Sequence, residues 1–230
     1  MPGMRSSGLA FYDFDGTLVS SNVVTQYAWY ARQRPAVEAA WRTAKLAASV
    51  PLLIGFELYS RRRFNEVFYR HYRGLREDWL RNQAEGLFEL VIRPAVFPGA
   101  RQLVENDRAA GYTTVLVTGS PDFAVGPVAR WFGFDHVIAN RLVFAGGVAT
   151  GAIARPVIAE EKKVAAMRGL AQEHGVGMER CKAYSDSLSD LPMLEAVGLP
   201  AAVNAGRRLR RIAIERGWPV RELAEAGPRV

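Results

Sequence analysis

Cysteine and long apolar runs are scarce in this chain of 230 residues. Cys181 is the only cysteine, so no disulfide can form within the chain, which fits a reducing compartment. The most apolar segment, residues 46–59, has fourteen residues and contains Pro51 and Glu57, whereas a bilayer span needs about 20 apolar residues. The first residues lack the uninterrupted apolar stretch and the cleavage site of a secretory leader. We therefore expect a cytoplasmic protein, with residues 46–59 able to lie against a membrane surface.

Extremes of composition are absent as well. Hydrophobic residues make up 49% and charged residues 23% of the chain, which excludes a disordered chain, a collagen-like chain and a coiled coil. A chain of this length forms one ordinary domain, or one domain with a sizeable insertion. Lysine and arginine number 30 against 23 acidic residues, and the resulting net charge of +7 favours anionic partners.

Short apolar runs alternate with helical segments over most of the chain. Each run has four to six residues and is followed by turn-forming residues, as buried parallel strands are. The predicted strands are residues 8–12, 112–117, 136–139, 180–184 and 200–203, and the predicted helices are 100–110, 122–132, 159–174 and 190–197. Strands that alternate with helices predict βαβ units, so the expected fold class is α/β with a doubly wound parallel sheet.

Residues 20–94 interrupt this alternation. Apolar side chains recur there at helical spacing, and no strand pattern is present. Pro35 and Pro51 are expected to divide the segment into separate helices. The sequence thus predicts a core of residues 1–19 and 95–230, with a helical cap domain of residues 20–94 inserted after the first strand.

A pair of carboxylates, Asp13 and Asp15, comes directly after the first predicted strand, in the sequence DFDGTL. In a doubly wound sheet, ligands bind beyond the carboxyl ends of the strands, so an active site is expected at this loop. Two carboxylates so close together are costly unless a cation or a proton neutralises them, and Gly16 lets the backbone approach a ligand. The alternative is a helix-capping turn, for which one aspartate would suffice.

A second pair of carboxylates, Asp186 and Asp190, follows the fourth apolar run in the sequence YSDSLSD. Taken alone, this pair is equally well explained as turn chemistry. Four acids at one edge of a sheet indicate a site for a hard cation. Because no His or Cys pattern accompanies them, the sequence favours Mg²⁺ over Zn²⁺.

A third polar loop, VTGSP, ends the predicted strand that begins at Tyr112. Ser120 is expected to cap the next helix, with Pro121 at its first position, so that the free N–H groups of the helix face the loop. A hydroxyl, the Gly119 amide and a helix N-terminus together suit a phosphate. An ordinary strand–turn–helix junction has the same pattern and remains the alternative.

These motifs together resemble those of the haloacid dehalogenase superfamily of aspartate-nucleophile phosphatases. DFDGTL is similar to its first motif, VTGS to its second, the lysine of EEKKV to its third and YSDSLSDLPML to its fourth. The resemblance covers residues 8–204 and extends to the phosphoserine-phosphatase-like branch (subfamily IB), whose helical C1-type cap is inserted at the same point. It implies a Rossmann-like core and the activity of a phosphoric monoester hydrolase.

The resemblance also implies a covalent mechanism. Asp13 would attack the phosphorus and become an aspartyl phosphate. Asp15 would protonate the leaving oxygen and then activate the hydrolytic water. Mg²⁺ would be held by Asp13, by the backbone carbonyl of Asp15 and by Asp186. A phosphatase is favoured over a dehalogenase, which would need neither Asp15 nor a metal.

The remaining family residues would bind the phosphoryl oxygens. This phosphate-binding set consists of Gly16, Thr118, Gly119 and Lys163.

A lysine supplies the third motif, and two adjacent candidates are present. Most surface lysines are merely solvated, but a phosphate among carboxylates needs a fixed positive charge beside it. We assign Lys163 rather than Lys162, because the family lysine directly precedes an apolar helical residue, here Val164. Asp190 is expected to position Lys163 or a metal-bound water.

The substrate is the least determined part of the expectation. Phosphoserine phosphatases carry an acidic residue for the substrate amine where this chain has Asn22, and a neutral amide attracts an ammonium group much less. Residues 46–59 are apolar and basic residues flank them, so they could contact an anionic membrane. Their alternative role is a cap helix packed on the core. We expect a small or lipid phosphomonoester as substrate.

Other functions stay open beside this one. Phosphoserine phosphatase proper, or a phosphomutase or phosphotransferase with the same aspartyl phosphate, would use the same motifs. A phospho-receiver domain is shorter and has no helical insert, and four intact motifs argue against a binding module with a decayed site. No nucleic-acid partner is expected, because no aromatic-plus-basic pattern lies outside the cap. The oligomeric state is undetermined.

Overall fold

The computed structural model describes residues 7–223. The strands are β1 Gly8–Tyr12, β2 Tyr112–Pro121, β3 His136–Asn140, β4 Leu142–Ala145, β5 Val148–Ile153, β6 Lys182–Ser185, β7 Leu199–Val203 and β8 Val220–Arg221. The main sheet has six strands in the order β3-β2-β1-β6-β7-β8, and all neighbouring pairs are parallel. β4 and β5 form a separate antiparallel hairpin. The predicted α/β class with a doubly wound parallel sheet is confirmed.

Helices cover both faces of the sheet because its central strand is buried on both sides. Leu9 and Phe11 of β1 belong to one apolar cluster, and Ala10 and Tyr12 belong to the other, as the alternation of strand side chains requires. The helices are α1 Val23–Arg32, α2 Ala36–Tyr59, α3 Arg61–Phe68, α4 Glu77–Leu87, α5 Ala100–Ala109, α6 Asp122–Phe132, α7 Glu161–Glu173, α8 Leu191–Glu195 and α9 Arg207–Glu215. Helices α7, α8 and α9 complete the first cluster, and α5, α6 and the inserted helices complete the second.

The insert between β1 and β2 consists of α1 to α4 with short 3₁₀ and π turns. Its core is aromatic: Tyr27, Tyr30, Phe68 and Tyr72 are fully buried and pack largely edge to face. Tyr72 also contacts Phe123 of α6, with ring centroids 5.7 Å apart, so the insert packs on the core. The division into two domains, with boundaries near residues 20 and 94, stays a prediction. The outermost residues of the predicted core, 1–6 and 224–230, lie outside the described residues, as does most of the segment considered for a leader.

The β4–β5 hairpin, which the strand pattern did not predict, ties the insert to the core. The Gly74 N–H donates to the carbonyl of Ala149 at 2.9 Å, and the Ala149 N–H donates to the carbonyl of Leu75 at 2.8 Å. The sequence signal for the hairpin is the pair Gly146-Gly147, where both residues have positive φ, as tight hairpin turns require. The hairpin thus holds an inner part of the insert, residues 74–77, against the core.

The prediction that Pro51 separates two helices is wrong, because α2 is one helix of 24 residues that contains Pro51. Pro51 and Ala47 both lie on the exposed side of α2. The carbonyl of Ala47, which loses its helical partner at a proline, therefore faces solvent, and the usual penalty is reduced. Pro35 does end α1 before α2 begins, as expected. No helix within residues 7–223 is both long enough and apolar enough to cross a bilayer.

Candidate active site

The four motifs meet at the carboxyl edge of the sheet. β2, β1 and β6 are neighbours, so the residues that follow them lie side by side. Asp13 and Asp15 follow β1, Gly119 lies near the end of β2, and Asp186 follows β6. Lys163 comes from the first turn of α7. Residues from all four motifs line one cavity of about 430 Å³ between the sheet and the insert.

Lys163 is a buried cation between two carboxylates. Its Nζ donates to Asp13 Oδ1 at 2.6 Å and to Asp190 Oδ2 at 2.8 Å, and only 4% of the residue is exposed. The Ser185 hydroxyl donates to the same oxygen of Asp190 at 2.9 Å. Burial opposes the charge of Lys163, but the two carboxylates outweigh burial and raise its pKa above the ordinary value. Lys162 is exposed, so the geometry distinguishes the two adjacent lysines.

Thr17 links the first motif to the fourth. Its hydroxyl donates to Asp186 Oδ1 at 2.8 Å and accepts from the Asp186 N–H at 3.0 Å, while Asp13 Oδ2 lies 3.4 Å away. Gly16 packs directly on Asp186, since a Cβ at this position would lie 2.3 Å from Asp186 Oδ2. Its φ of +89° also favours glycine. The loop therefore brings Asp13 and Asp186 together only because residue 16 has no side chain.

Asp15 is held by one residue of the insert and one of the core. Gln26 Nε2 donates to Asp15 Oδ1 at 2.9 Å, and the Ser120 hydroxyl donates to Asp15 Oδ2 at 2.8 Å. Burial raises the pKa of Asp15 to about 7, with a further contribution from the charge of Asp13. The prediction that Ser120 caps α6 is wrong: the N-cap is Pro121, and the Ser120 side chain binds Asp15 instead.

The loop at the end of β2 is fixed by hydrogen bonds to its backbone. The carbonyl of Gly119 accepts from the Tyr69 hydroxyl at 2.6 Å and from Asn140 Nδ2 at 2.8 Å. Thr118 is buried, and its Oγ1 accepts from the Ser120 N–H at 3.0 Å. Gly119 lines the cavity, so its peptide reaches the site in a single orientation.

Like charges accumulate in this buried site. Burial raises the pKa of Asp13 even though the Lys163 ammonium opposes the shift. Burial, and then the charge of Asp13, raise the pKa of Asp186 to about 7. Such a site favours a bound cation or proton. Within residues 7–223, no group of three or more His, Cys, Asp and Glu side chains is arranged to hold a metal, so a cation here would also need backbone or substrate oxygens.

The wall of the cavity opposite the carboxylates is mostly apolar. It comes from the insert and consists of Val23, Val24, Val50, Leu53, Ile54 and Phe64. The insert also contributes a positively charged side chain to this wall, Arg61, whose guanidinium pairs with Glu57. Asn22 also lines the cavity, but its side-chain oxygen accepts from the N–H groups of Val24 and Thr25 as the N-cap of α1.

Several residues of the site were not predicted from the sequence. Thr17 and Ser185 lie inside the first and fourth motifs, so their positions in the sequence could have identified them as residues of the site. Gln26 is a polar residue among the buried residues of α1, which is also a signal. The contacts of Tyr69 and Asn140 with Gly119 depend on tertiary packing, and nothing in the sequence indicates them.

Comparison with known proteins gives the same family. The family model of haloacid dehalogenase-like hydrolases matches residues 10–195. A probable phosphatase of Mycobacterium tuberculosis is 43% identical over 130 residues, which are 56% of this chain. The match spans only 45% of that longer protein.

Solved structures share the fold over almost the whole chain. A protein of unknown function from Bordetella pertussis is 30% identical with a TM-score of 0.81, and the match covers 94% of this chain and 98% of that one. A phosphoserine phosphatase solved as a phospho-aspartyl intermediate analogue has a TM-score of 0.71 at 20% identity, with 96% and 95% of the two chains covered. The resemblance predicted from the sequence motifs is thus confirmed, and with it the enzyme class at the level of the family. The chain belongs to the haloacid dehalogenase-like hydrolases, and its fold is that of the phosphoserine phosphatase structures.

Proposed function

We propose that the protein is a Mg²⁺-dependent phosphomonoesterase that works through an aspartyl phosphate on Asp13. The observation that supports this most directly is the position of Asp13 in the cavity lining, with one oxygen on the Lys163 ammonium and the other beside Thr17. A carboxylate in this setting is oriented as a nucleophile while a neighbouring cation is available for the phosphoryl group. A phosphoserine phosphatase of the same fold has been captured with an analogue of a phospho-aspartyl intermediate, which agrees with this step.

The residues of the site fit Mg²⁺. Its donors are hard oxygens: the carboxylates of Asp13 and Asp186, joined through Thr17, and the backbone carbonyl of Asp15. Burial raises the pKa of both carboxyl groups because it destabilises their ionised forms, and a divalent cation would stabilise those forms. Gln26 and Ser120 already hold the two side-chain oxygens of Asp15, which agrees with its backbone carbonyl, and not its side chain, serving the metal. Bound Mg²⁺ would neutralise charge on the phosphoryl oxygens during transfer.

The proposed reaction has two steps. In the first, an Asp13 oxygen bonds to phosphorus, the ester P–O bond breaks, and the leaving oxygen takes a proton from Asp15. In the second, Asp15 takes a proton from water as the water oxygen bonds to phosphorus, and the bond to Asp13 breaks with release of inorganic phosphate. A pKa of about 7 for Asp15 suits both directions of this proton transfer at neutral pH.

The other residues of the site bind and orient. Lys163, with Thr118 and the peptide of Gly119, would hold the phosphoryl oxygens as their charge shifts. Asp190 would position Lys163, since it accepts from Nζ and is itself fixed by Ser185. Gln26 would hold Asp15 in reach of the leaving oxygen.

The cavity favours a phosphomonoester with an apolar body. Val50, Leu53 and Ile54 offer methyl groups to the part of the substrate beyond the phosphate. Asn22 offers no negative charge to a substrate ammonium, and its oxygen is already used by the α1 cap. A higher kcat/KM for hexyl phosphate than for O-phosphoserine would support this specificity, and the reverse order would contradict it in favour of a phosphoserine phosphatase.

The experiment that tests the mechanism combines turnover with trapping. Phosphate release is measured with Mg²⁺ on a panel of phosphomonoesters, and acid-quenched enzyme is searched by mass spectrometry for phosphate on the peptide that contains Asp13. We expect the adduct in the native protein and its absence in Asp13→Asn, with activity lower by a factor on the order of 10³ or more. Near-normal phosphate release by Asp13→Asn would refute the covalent mechanism. Transfer of phosphate to an added alcohol or sugar phosphate without release of inorganic phosphate would indicate a mutase or phosphotransferase.

A further inference from the structure

The outward side of α2 carries no charged group over most of its length. Between Lys45 and Glu57 the chain has no charged residue at all. On the opposite side, Leu46 and Leu53 are buried against the rest of the insert. We call the outward side the α2 outer face and define it by exposed residues that share one side of the helix at 3-, 4- and 7-residue spacing: Trp41, Ala48, Pro51, Leu52, Leu58 and Tyr59.

The exposure of this face is large for apolar side chains. Leu58 is 84% exposed, Tyr59 79%, and Trp41 and Leu52 are each more than half exposed. Scattered apolar side chains are normal at a protein surface, but here they form one continuous strip along a long helix. The aromatic residues Trp41 and Tyr59 lie towards its two ends, as is common for helices that rest in a membrane interface.

Positive charges border the α2 outer face. Arg62 and Arg63, which directly follow it, are exposed and have no ion-pair partner within residues 7–223. Along one side of the α2 outer face lies a groove of about 650 Å³. Its lining includes four basic residues, Lys45, Arg70, Arg73 and Arg155, and one acidic residue, Glu66. Apart from the distant contact of Arg155 with Glu66, at 3.8 Å, these four cations have no carboxylate partner in the described part of the chain.

The opposite border of the face is the catalytic cavity. Val50 and Ile54 line that cavity and belong to the same stretch of α2 as Leu52. The strip therefore separates the cationic groove from the entrance to Asp13. A surface that contacts this strip would lie beside the cavity.

From this arrangement we infer that the α2 outer face docks on an anionic lipid bilayer, with Arg62, Arg63 and the cationic groove against the lipid phosphates. The apolar strip would enter the boundary between headgroups and acyl chains, and the cations would stay at headgroup level. A second copy of the chain fits less well. In a two-fold dimer through this face, an axis across α2 would bring the two cationic grooves together, and an axis along α2 would bring the two Arg62–Arg63 ends together, so like charges would meet. The charge pattern thus selects a negative surface.

Vesicle binding tests the inference without reference to catalysis. The protein is mixed with vesicles of phosphatidylcholine alone or with phosphatidylglycerol, and the bound fraction is measured by co-sedimentation. We expect binding to the phosphatidylglycerol vesicles that weakens with added salt. The double variant L52Q/L58Q should lower the partition coefficient by a factor of about ten or more, because both side chains enter the interface. Neither residue lines the catalytic cavity, so turnover of a soluble phosphomonoester should be unchanged.

Matched variants distinguish a role of the α2 outer face from the general effect of removing exposed apolar or charged side chains. L90Q/I214Q removes two apolar side chains of comparable exposure from other surfaces and should leave binding unchanged. R62Q/R63Q should weaken binding to anionic vesicles at least several-fold more than R207Q/R208Q, which removes the same charge from α9.

Three results would overturn the inference. The first is no binding to phosphatidylglycerol vesicles at low salt, and the second is equal loss of binding in L52Q/L58Q and L90Q/I214Q. The third is a concentration-dependent dimer in sedimentation velocity that L52Q/L58Q abolishes, which would assign the face to a second copy. Failure of the proposed phosphatase activity would leave the vesicle result intact, so the two proposals fail separately.

Discussion

Replacing Lys163 by methionine should destabilise the protein and abolish its activity, whereas the same change at Lys162 should do neither. Lys163 is the cation between Asp13 and Asp190, and its side chain is 5% exposed. Methionine keeps the apolar stem but leaves both carboxylates buried without their partner. Removal of one partner from a buried ion pair typically costs about 3–5 kcal/mol. Lys162 is exposed, so Lys162→Met should change stability by less than about 0.5 kcal/mol.

The loss of stability in Lys163→Met should be larger at high pH than at low pH. Burial already raises the pKa of Asp13, and the Lys163 ammonium opposes that shift. Without Lys163, the protein can lose the uncompensated charge by protonating Asp13, which costs about 1.4 kcal/mol for each pH unit above the ordinary aspartate pKa near 4. That route costs about 5–6 kcal/mol at pH 8 but only about 1.5 kcal/mol at pH 5. Loss of the ammonium raises the folded-state pKa of Asp13 further, so its ionised form destabilises the protein at high pH and the penalty is lost as pH falls. The difference between Lys163→Met and Lys162→Met should therefore shrink from pH 8 to pH 5.

The assay is urea unfolding followed by circular dichroism, for both variants and the native protein, in chelator so that no bound cation compensates the carboxylates. Adding Asp190→Asn to Lys163→Met should restore part of the lost stability, whereas Asp190→Asn alone should reduce it, because only the native background still needs the second carboxylate. Equal stability of the two lysine variants at pH 8, or a difference that grows at pH 5, would refute this account of the site.

Three further predictions concern the metal, the first loop and the insert. Asp186→Asn should raise the Mg²⁺ concentration required for half-maximal phosphate release, and full activity of the native protein in chelator would contradict the metal assignment. Gly16→Ala should lower the free energy of unfolding in urea by about 1–3 kcal/mol and remove activity, because the positive φ of residue 16 and its contact with Asp186 exclude a Cβ. The control Gly169→Ala, at a position on α7 with open space around it, should be neutral or stabilising. Burial, with the charges of Lys45 and Arg42, lowers the pKa of His71 to about 4, so the unfolded chain binds a proton at His71 at a higher pH than the folded protein does. The free energy of unfolding should therefore fall between pH 6.5 and pH 4 more steeply in the native protein than in His71→Gln. Parallel pH profiles of the two proteins would contradict this.

The fold was largely predictable because its signals are local. Five short apolar runs, each followed by turn residues, predicted five of the six strands of the parallel sheet. The sixth strand, β8, has only two residues and left no pattern to detect. Pro51 misled the prediction because a proline penalty depends on whether the freed carbonyl meets solvent, and that depends on which side of α2 is buried.

The site was predictable in its residue types but not in its hydrogen bonds. Asp13, Asp15 and Asp186 follow strands that lie side by side in the sheet, so their convergence follows from topology alone. Ser120 was assigned to a helix cap, which is a local interaction, but its hydroxyl binds Asp15, 105 residues away along the chain. Local rules rank a cap first because the competing partner is supplied only by the folded sheet.

The sequence by itself determined the alternation of strands and helices, the position of the insert and the acidic residues at the sheet edge. These depend on periodicity and on residue chemistry, which are properties of short segments. Only the tertiary structure placed Lys163 between Asp13 and Asp190, joined Gln26 to Asp15 and exposed one apolar side of α2 while burying the other. Each of those outcomes depends on which groups from distant segments share a buried volume, because burial sets both the energy of a charge and the partners within its reach.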